Sequence, residues 1–342
     1  MRMTRILVYL AKPIYGGWVS FTSHLARKEN LPLYKIGART EKKKRPYGYS
    51  VEYQNINLDS LDEIMIQQGS IPIITAIDKN YYYVLEHIAQ KIREYPHIRL
   101  SIVLHDPTEF SKGAKKQLLE LLKSMKTNIK IITIRKTVHD MLLSLGIESQ
   151  FIIHPYVLSS NERKSIEHRH GAVSISRIDY DKNIDIIVKA NATMNTAHKI
   201  VLYGDPNERY IYQKLVEYDS FKKTDPESMY RGNFPKSADA LHNILESRLF
   251  VVDMSSIYGD GGGTQYTFLE AIEAGCILIL NHKWVDSQPN CIWKHGYNCF
   301  IVGNSDELSH IIRNPYQFDL KRIYENSRHI LIDATNVSWH IM

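Results

Sequence analysis

The chain has 342 residues, 44% hydrophobic and 23% charged, with 12 Pro, 17 Gly and a formal net charge of +6. That length exceeds one ordinary hydrophobic core and suits two domains, and the composition excludes global disorder. Three cysteines, Cys276, Cys291 and Cys299, are odd in number and lack paired metal-type spacing, which argues against a disulfide framework or a zinc site and for a reducing compartment.

From the N-terminus, the apolar run Ile6–Ala11 is only about six residues and no cleavage-type site follows, so it reads as a first strand rather than a signal core. VSFTSHLARKEN (19–30) has helical apolar spacing, and IPIITAI (71–77) is a second strand ahead of the helix 81–95. The alternation continues through strand 98–106, helix 111–126, strand 129–135, helix 136–146 and strand 149–158. Near-continuous Ile/Val/Leu strands separated by helices imply a parallel sheet covered on both faces, a Rossmann-like domain.

Residues 159–171, SSNERKSIEHRHG, are polar and aperiodic and read as the linker. The pattern then restarts. Strands are expected at 171–178, 198–204, 249–255, 276–281 and 298–302, with helices at 182–194, 207–218, 238–248 and 264–275. Two doubly wound domains in tandem make a ligand cleft between them the default expectation. The expected division is 1–158, 172–318 and a C-terminal helix within 319–342 that crosses back to the first domain. Nowhere do about 18 uninterrupted apolar residues occur, which excludes a spanning helix and makes the protein soluble or at most peripheral, with a cytoplasmic location expected.

Two local features carry chemistry. Residues 39–49, RTEKKKRPYGY, hold five Lys or Arg against one Glu, either as a solvated loop or as a contact for a polyanion, nucleic acid or anionic lipid. Gly261-Gly262-Gly263 sits between the strand 249–255 and a helix starting near Thr264. There, free N–H groups and the positive dipole end suit phosphate, although a bare glycine turn is the alternative. The segment is neither G-x-G-x-x-G nor a P-loop. In the helix that follows, Glu270 is flanked by Tyr266, Phe268, Leu269, Ala271 and Ile272. A carboxylate in so apolar a setting faces solvent or has a partner, and a ribose diol is a natural one.

GGGTQYTFLEAIEAGCILILN resembles the C-terminal signature of the retaining, nucleotide-sugar-dependent glycosyltransferases of the GT-B fold, of the family 4 type. IWKHGYNCFIV (292–302), SISRIDYDKNIDIIVKA (174–190), PIYGGWVSFTSHLA (13–26) and VLHDP (103–107) resemble further segments of the same family, in the family's order. The resemblance implies an α/β chain of two Rossmann-like, doubly wound parallel-sheet domains facing a central cleft. It implies that Glu270 binds the donor ribose, that Arg177 and Lys182 bind the diphosphate, and that Gly16 and Gly17 let backbone approach donor phosphate or acceptor. Gly262, Gly263, Thr264, Tyr266 and Thr267 would face the donor sugar or diphosphate. His105 and Asp106 would lie beside the transferred sugar, His105 bonding a hydroxyl and Asp106 either opposing charge at the anomeric carbon or orienting the acceptor. Local turn capping is the alternative for that pair. Where many members carry a second Glu, this chain has Gly262, with Asp260 the nearest acid.

More diffusely, Tyr266, Thr267, Leu269, Glu270, the His-Asp pair and the basic run resemble the DNA α-glucosyltransferases of T-even phages. That likeness implies a viral enzyme acting in the host cytoplasm on hydroxymethylated cytosine in duplex DNA, with Lys42, Lys43, Lys44 and Arg45 on phosphates and Tyr47 or Tyr49 stacking on an extruded base. The same basic charge fits a peripheral anionic membrane, and a glycan, lipid or protein acceptor is the alternative. The expected donor is a UDP-sugar, with a GDP-sugar second. No metal is expected, on the reading that no Asp-x-Asp occurs and that side chains supply the cations, and no other cofactor and no obligate protein partner are expected. A non-catalytic nucleotide- or sugar-binding protein is the reading from another class.

Overall fold

The computed structural model describes residues 4–12, 16–37, 51–67, 69–105, 114–125, 127–159, 165–215, 229–233, 238–256, 264–285 and 291–339. The chain divides into two compact units, Met1–Val157 with Ala334–Met342, and Leu158–Asp333.

The first unit runs β1 (Arg5–Leu10), α1 (Gly17–Glu29), β2 (Leu33–Ile36), β3 (Gln54–Ile56), α2 (Leu58–Asp62), β4 (Ile71–Ile77), α3 (Tyr82–Glu94), β5 (Leu100–Leu104), α4 (Ala114–Ser124), β6 (Ile129–Thr133), α5 (Lys136–Ser144) and β7 (Gln150–Phe151). Its seven strands are parallel, in the order β3-β2-β1-β4-β5-β6-β7. Val8, Ile74 and Ile102 on the central strands are fully buried, as expected where helices cover both faces. The chain winds outward from β1 to β3 and returns to β4 on the other side of β1, so the order reverses between β1 and β4. Such a reversal opens a crevice beyond the carboxyl ends of the strands.

The second unit runs β8 (His170–Ile175), α6 (Ile184–Ala192), β9 (Val201–Tyr203), α7 (Glu208–Tyr210), α8 (Ala238–Leu245), β10 (Arg248–Asp253), α9 (Tyr266–Ala274), β11 (Ile277–Asn281), α10 (His282–Val285), β12 (Phe300–Val302), α11 (Ser305–Arg313) and α12 (Leu320–Asn336). Its sheet, also parallel, has the order β12-β11-β10-β8-β9, with the reversal between β8 and β10. The last residues of α12, from Ala334, belong to the first unit. No described helix is long and apolar enough to cross a membrane.

β2, β3, α2, α10 and α11 lie outside the elements expected from the sequence. β2 and β3 are four and three residues long, too short for periodicity to register. α11 had a readable start, because Asn304 accepts from the N–H groups of Asp306 and Glu307. Of the strand expected at 149–158 only Gln150–Phe151 joins the ladder; Pro155 has no N–H to offer one.

β8 begins at His170, inside the stretch expected to be linker, because His170 pairs with Arg248 and Arg169 is buried. The Arg169 guanidinium donates to the carbonyls of Ala274, Leu245 (3.2 Å) and Arg248 (3.1 Å). It thereby satisfies the final carbonyls of α8 and α9. Gly275, at φ 95°, leaves room for it, since a Cβ there would sit 2.7 Å from the guanidinium.

In the first unit His24 Nδ1 accepts from the N–H of Val157 (3.0 Å) and its ring stacks on Tyr156 at 4.4 Å. Burial, with the charge of Arg27 adding, lowers its pKa from 6.5 to about 3. Burial pushes His154 the same way, with Arg135, His105 and His24 adding. Both rings are neutral in the fold, whereas the unfolded chain protonates them near 6.5, so the unfolded state binds more protons below that value. Stability is therefore full above about pH 6.5 and declines by about 1.4 kcal/mol per pH unit per histidine on acidification towards the folded pKa. Urea unfolding between about pH 6.5 and pH 4 is expected to show this decline. It should be shallower in His24→Gln, whose amide oxygen can take the Val157 N–H; an unchanged slope would remove His24 as its source.

Candidate functional site

In the second unit the residues beyond β8 are fastened on both sides. Towards β9, Ser176 N–H donates to Tyr203 O (3.2 Å), Ile178 N–H to Asp205 O (3.0 Å) and Asn207 N–H back to Ile178 O (3.0 Å). Gly204 makes this contact feasible, because a Cβ there would lie 1.8 Å from the Ser176 carbonyl oxygen. Towards β10, Asn183, at φ 43°, donates through Nδ2 to Met254 O and Ser256 Oγ, both at 2.8 Å. Ser256 N–H donates in turn to Asp181 O (2.9 Å).

This clamp holds Arg177 and Lys182 at the reversal between β8 and β10. Lys182 is buried, and its Nζ donates to Ser255 Oγ at 2.8 Å, with Asp181 Oδ2 3.9 Å away. Ser255 is fixed by its own N–H, which donates to Asp253 Oδ1 (2.8 Å). Arg177 is exposed and donates to Asp179 Oδ2 (2.9 Å) and Asp181 Oδ2 (3.0 Å). The expectation that no Asp-x-Asp occurs is wrong, because Asp179-Tyr180-Asp181 has that spacing. These carboxylates hold the guanidinium, and no cluster of three or more metal-type ligands occurs among the described residues.

α9 follows β10. Gln265 precedes it in extended conformation without a side-chain capping bond, and its first turn carries no acid, so the positive end of the helix is not offset there. Tyr266, Phe268, Leu269, Ala271 and Ile272 are buried, whereas Thr264, Thr267 and Glu270 are half-buried. Thr267 and Glu270, three apart, share one face of the helix. Glu273 lies one step further along that stripe and accepts from Ser159 N–H and Oγ, a structural tether.

In the first unit Gly16 precedes α1 at φ 93°, a conformation suited to glycine, and its carbonyl accepts from Val19 and Ser20 N–H at 3.0 Å. The next ring in the chain, Trp18, lies 6.1 Å from His105, at the carboxyl end of β5. His105 is buried, its Nε2 2.7 Å from the Thr75 carbonyl. Asp78, at the end of β4, accepts from Lys12 N–H (2.8 Å) and Asn80 N–H (2.8 Å) and so fixes the entry to the Gly16 turn. The structure thus brings the Trp18 ring, just after Gly16 and Gly17, to His105 in one unit, and Arg177 and Lys182 to the shared Asp181 carboxylate in the other. Asp106, Lys42, Lys43, Lys44, Arg45, Tyr47, Tyr49, Asp260, Gly261, Gly262 and Gly263 lie outside the described residues.

Ser255, Gly204, Thr75 and Asp78 are additional to the expected residues. Only Gly204, a glycine closing a strand before a helix, left a trace in the sequence.

No family model and no curated protein sequence matches the chain. Solved structures do. Anabaena HepE in complex with UDP superposes with a TM-score of 0.69 at 13% identity over 97% of both chains. An alpha-glucosyltransferase in complex with UDP and a 13-mer DNA containing an HMU base gives 0.67 at 13% identity over 98% of this chain and 100% of that one. A glycosyltransferase of Rickettsia africae gives 0.65 at 13% identity over 98% and 95%. At this identity the likeness is one of fold. The chain has the two-sheet α/β architecture of GT-B glycosyltransferases.

Gly204→Ala is expected to force the Ser176–Arg177 backbone away from β9 and to lower stability by about 1–3 kcal/mol. Equilibrium urea unfolding measures this; wild-type stability would mean that the contact yields freely.

Proposed function

We propose that the protein is a retaining glycosyltransferase that moves a hexose from a UDP-sugar to a hydroxyl acceptor. The observation that carries this reading is the surroundings of Lys182. Its residue is 8% exposed, and among the described residues its ammonium meets one hydroxyl at 2.8 Å and one carboxylate at 3.9 Å. A buried ammonium with three donors and so little compensation suits a bound anion. Its place at a topological reversal, beyond the carboxyl ends of β8 and β10, is where α/β sheets take ligands.

Under this reading the diphosphate is the anion. As the glycosidic bond breaks, negative charge grows on the departing nucleotide, and Lys182 and Arg177 are fixed cations opposing it. Arg177 exchanges Asp179 and Asp181 for phosphate oxygens. Main-chain N–H groups at the start of α9, with Gly262, Gly263, Thr264, Tyr266 and Thr267, face the phosphate or sugar. Glu270 accepts from the ribose hydroxyls. Asp106 opposes positive charge at the anomeric carbon and His105 bonds a sugar hydroxyl. UDP is favoured over GDP because the similar solved structures include complexes with UDP and with UDP-glucose.

For the acceptor we favour a hydroxymethylated base in duplex DNA. Support comes from the net charge of +6, the basic run through Lys42–Arg45, and the likeness to an enzyme solved with HMU-containing DNA. A glycan, lipid or protein acceptor would use the same donor site.

Three measurements test the proposal. UDP is expected to raise the melting temperature, with a smaller effect from GDP. Arg177→Ala, Lys182→Ala and Glu270→Ala are expected to stay folded and to lose at least about 100-fold in transfer; wild-type turnover in any of them removes that residue from the donor site. With labelled UDP-glucose and hydroxymethylated or plain DNA at low salt, label should enter only the hydroxymethylated DNA, and the anomeric proton of the product should report an α linkage. Label in a lipid or glycan fraction instead rejects the DNA acceptor, a β linkage rejects retention, and UDP binding without turnover indicates a binding protein.

A further inference from the structure

The end of the chain is part of the first unit, and it reaches His105 through one intervening ring. Trp339 is fully buried. Its indole Nε1–H donates to Ile153 O (3.2 Å), and its carbonyl accepts from Arg5 Nη1 (3.2 Å). The residues before it are also fastened: Ala334 O accepts from Tyr156 N–H (3.1 Å), and Thr335 O accepts from Lys28 Nζ. The Trp339 ring meets Phe21 at 5.1 Å and 70°, and Phe21 meets His105 at 4.8 Å and 86°.

His105 is held on its polar side as well. The Thr75 carbonyl at 2.7 Å can only accept, so Nε2 carries the ring proton, and in the neutral ring Nδ1 is the acceptor. Thr75 is itself set by α1. Thr22 donates its single hydroxyl proton to Trp18 O (2.8 Å), which leaves Thr75 Oγ1 as the donor in their 2.8 Å contact. Thr75 on one side and Phe21, backed by Trp339, on the other thus both bear on the tautomer and tilt of the imidazole, with Trp18 also facing it at 6.1 Å.

We infer that Trp339 is a positioning residue for His105, acting through Phe21. The inference rests on the proposed role of His105 at the transferred sugar. Deleting the indole leaves a cavity behind Phe21 that the ring can relax into, and the imidazole then loses the wall that keeps Nε2 on the Thr75 carbonyl. Misplacement of a reacting group by about 1 Å is sufficient for a loss on the order of 100-fold. The donor diphosphate, assigned to Lys182 and Arg177 in the second unit, should be bound as before.

The test uses the full chain in four variants, Trp339→Ala, Trp339→Phe, Phe21→Leu and His105→Ala. Steady-state turnover of UDP-glucose, UDP affinity and long-range nitrogen–proton spectra of the imidazoles are recorded for each. Trp339→Ala and Phe21→Leu are expected to lower kcat on the order of 100-fold, with UDP affinity within about twofold of wild type. The Nε2-protonated pattern of His105 should be lost or shifted in both. Trp339→Phe, which still fills the space behind Phe21, should recover kcat to within about threefold and restore that pattern. Unchanged kcat in the first two variants overturns the inference. So does a parallel fall in kcat and UDP affinity that Trp339→Phe does not rescue, since that marks a merely structural role. Full turnover by His105→Ala, or none by wild type, rejects the underlying reading of His105 instead. The spectra of the ligand-free protein then still decide the positioning: an unaltered His105 pattern in Trp339→Ala and Phe21→Leu rejects it.

Discussion

The second unit is organised around the bond between Lys182 Nζ and Ser255 Oγ. It joins the residues after β8 to those after β10, at the one place in that sheet where the strand order reverses. A reversal sends the flanking connections to opposite sides, so something must cross the gap between them. Lys182 crosses it with its side chain, Asn183 with two amide hydrogen bonds, and Ser256 by donating to the Asp181 carbonyl. The ammonium is thereby held in a place it would not choose for solvation alone. Its burial is tolerable because Asp181 lies nearby, and under the proposed function the ammonium takes the donor's diphosphate.

The neighbouring Arg177 is exposed where Lys182 is buried, and the contrast suits a division of labour. Lys182 is a fixed charge whose position the fold determines, while Arg177 is parked on Asp179 and Asp181 and can exchange partners without unfolding anything. Gly204 supplies the rigidity under both, because its missing side chain lets the Ser176 carbonyl approach β9. In the first unit a comparable economy surrounds His105. Thr75, Trp18 and Phe21, from β4 and α1, converge on one imidazole at the end of β5, and Thr22 bonds Thr75 behind them.

Much of this fold was legible in the sequence, for a definite reason. Strands such as β1, β4, β5, β10 and β11 are buried on both faces and so are almost purely aliphatic, and the helices between them keep a regular apolar spacing. The short edge strands of the first unit were legible only in part. β3 is a three-residue edge strand with little burial and lies outside every expected element, and β7 is two exposed residues, a fragment of the strand expected at 149–158. The proposed site divides in the same way. Glu270, Arg177 and Lys182 enter it because their neighbours in sequence form motifs that resemble the family's. Asp179 and Asp181 stood in plain view, but their role as partners of Arg177 depends on how a short turn folds back.

What the sequence determined by itself is the alternation of parallel strands and helices, its restart in a second unit, and the placing of charged and glycine residues at strand ends. These follow from periodicity and from local steric rules, which act over a few residues. Only the tertiary structure decided that Ser255 would meet Lys182, that Gly204 would admit the Ser176 carbonyl, and that Trp339 would stand behind Phe21 and His105. Those partners are 73, 28 and 234 positions apart in the chain or more. Their meeting depends on the order in which strands assemble into a sheet, and no local pattern encodes that order.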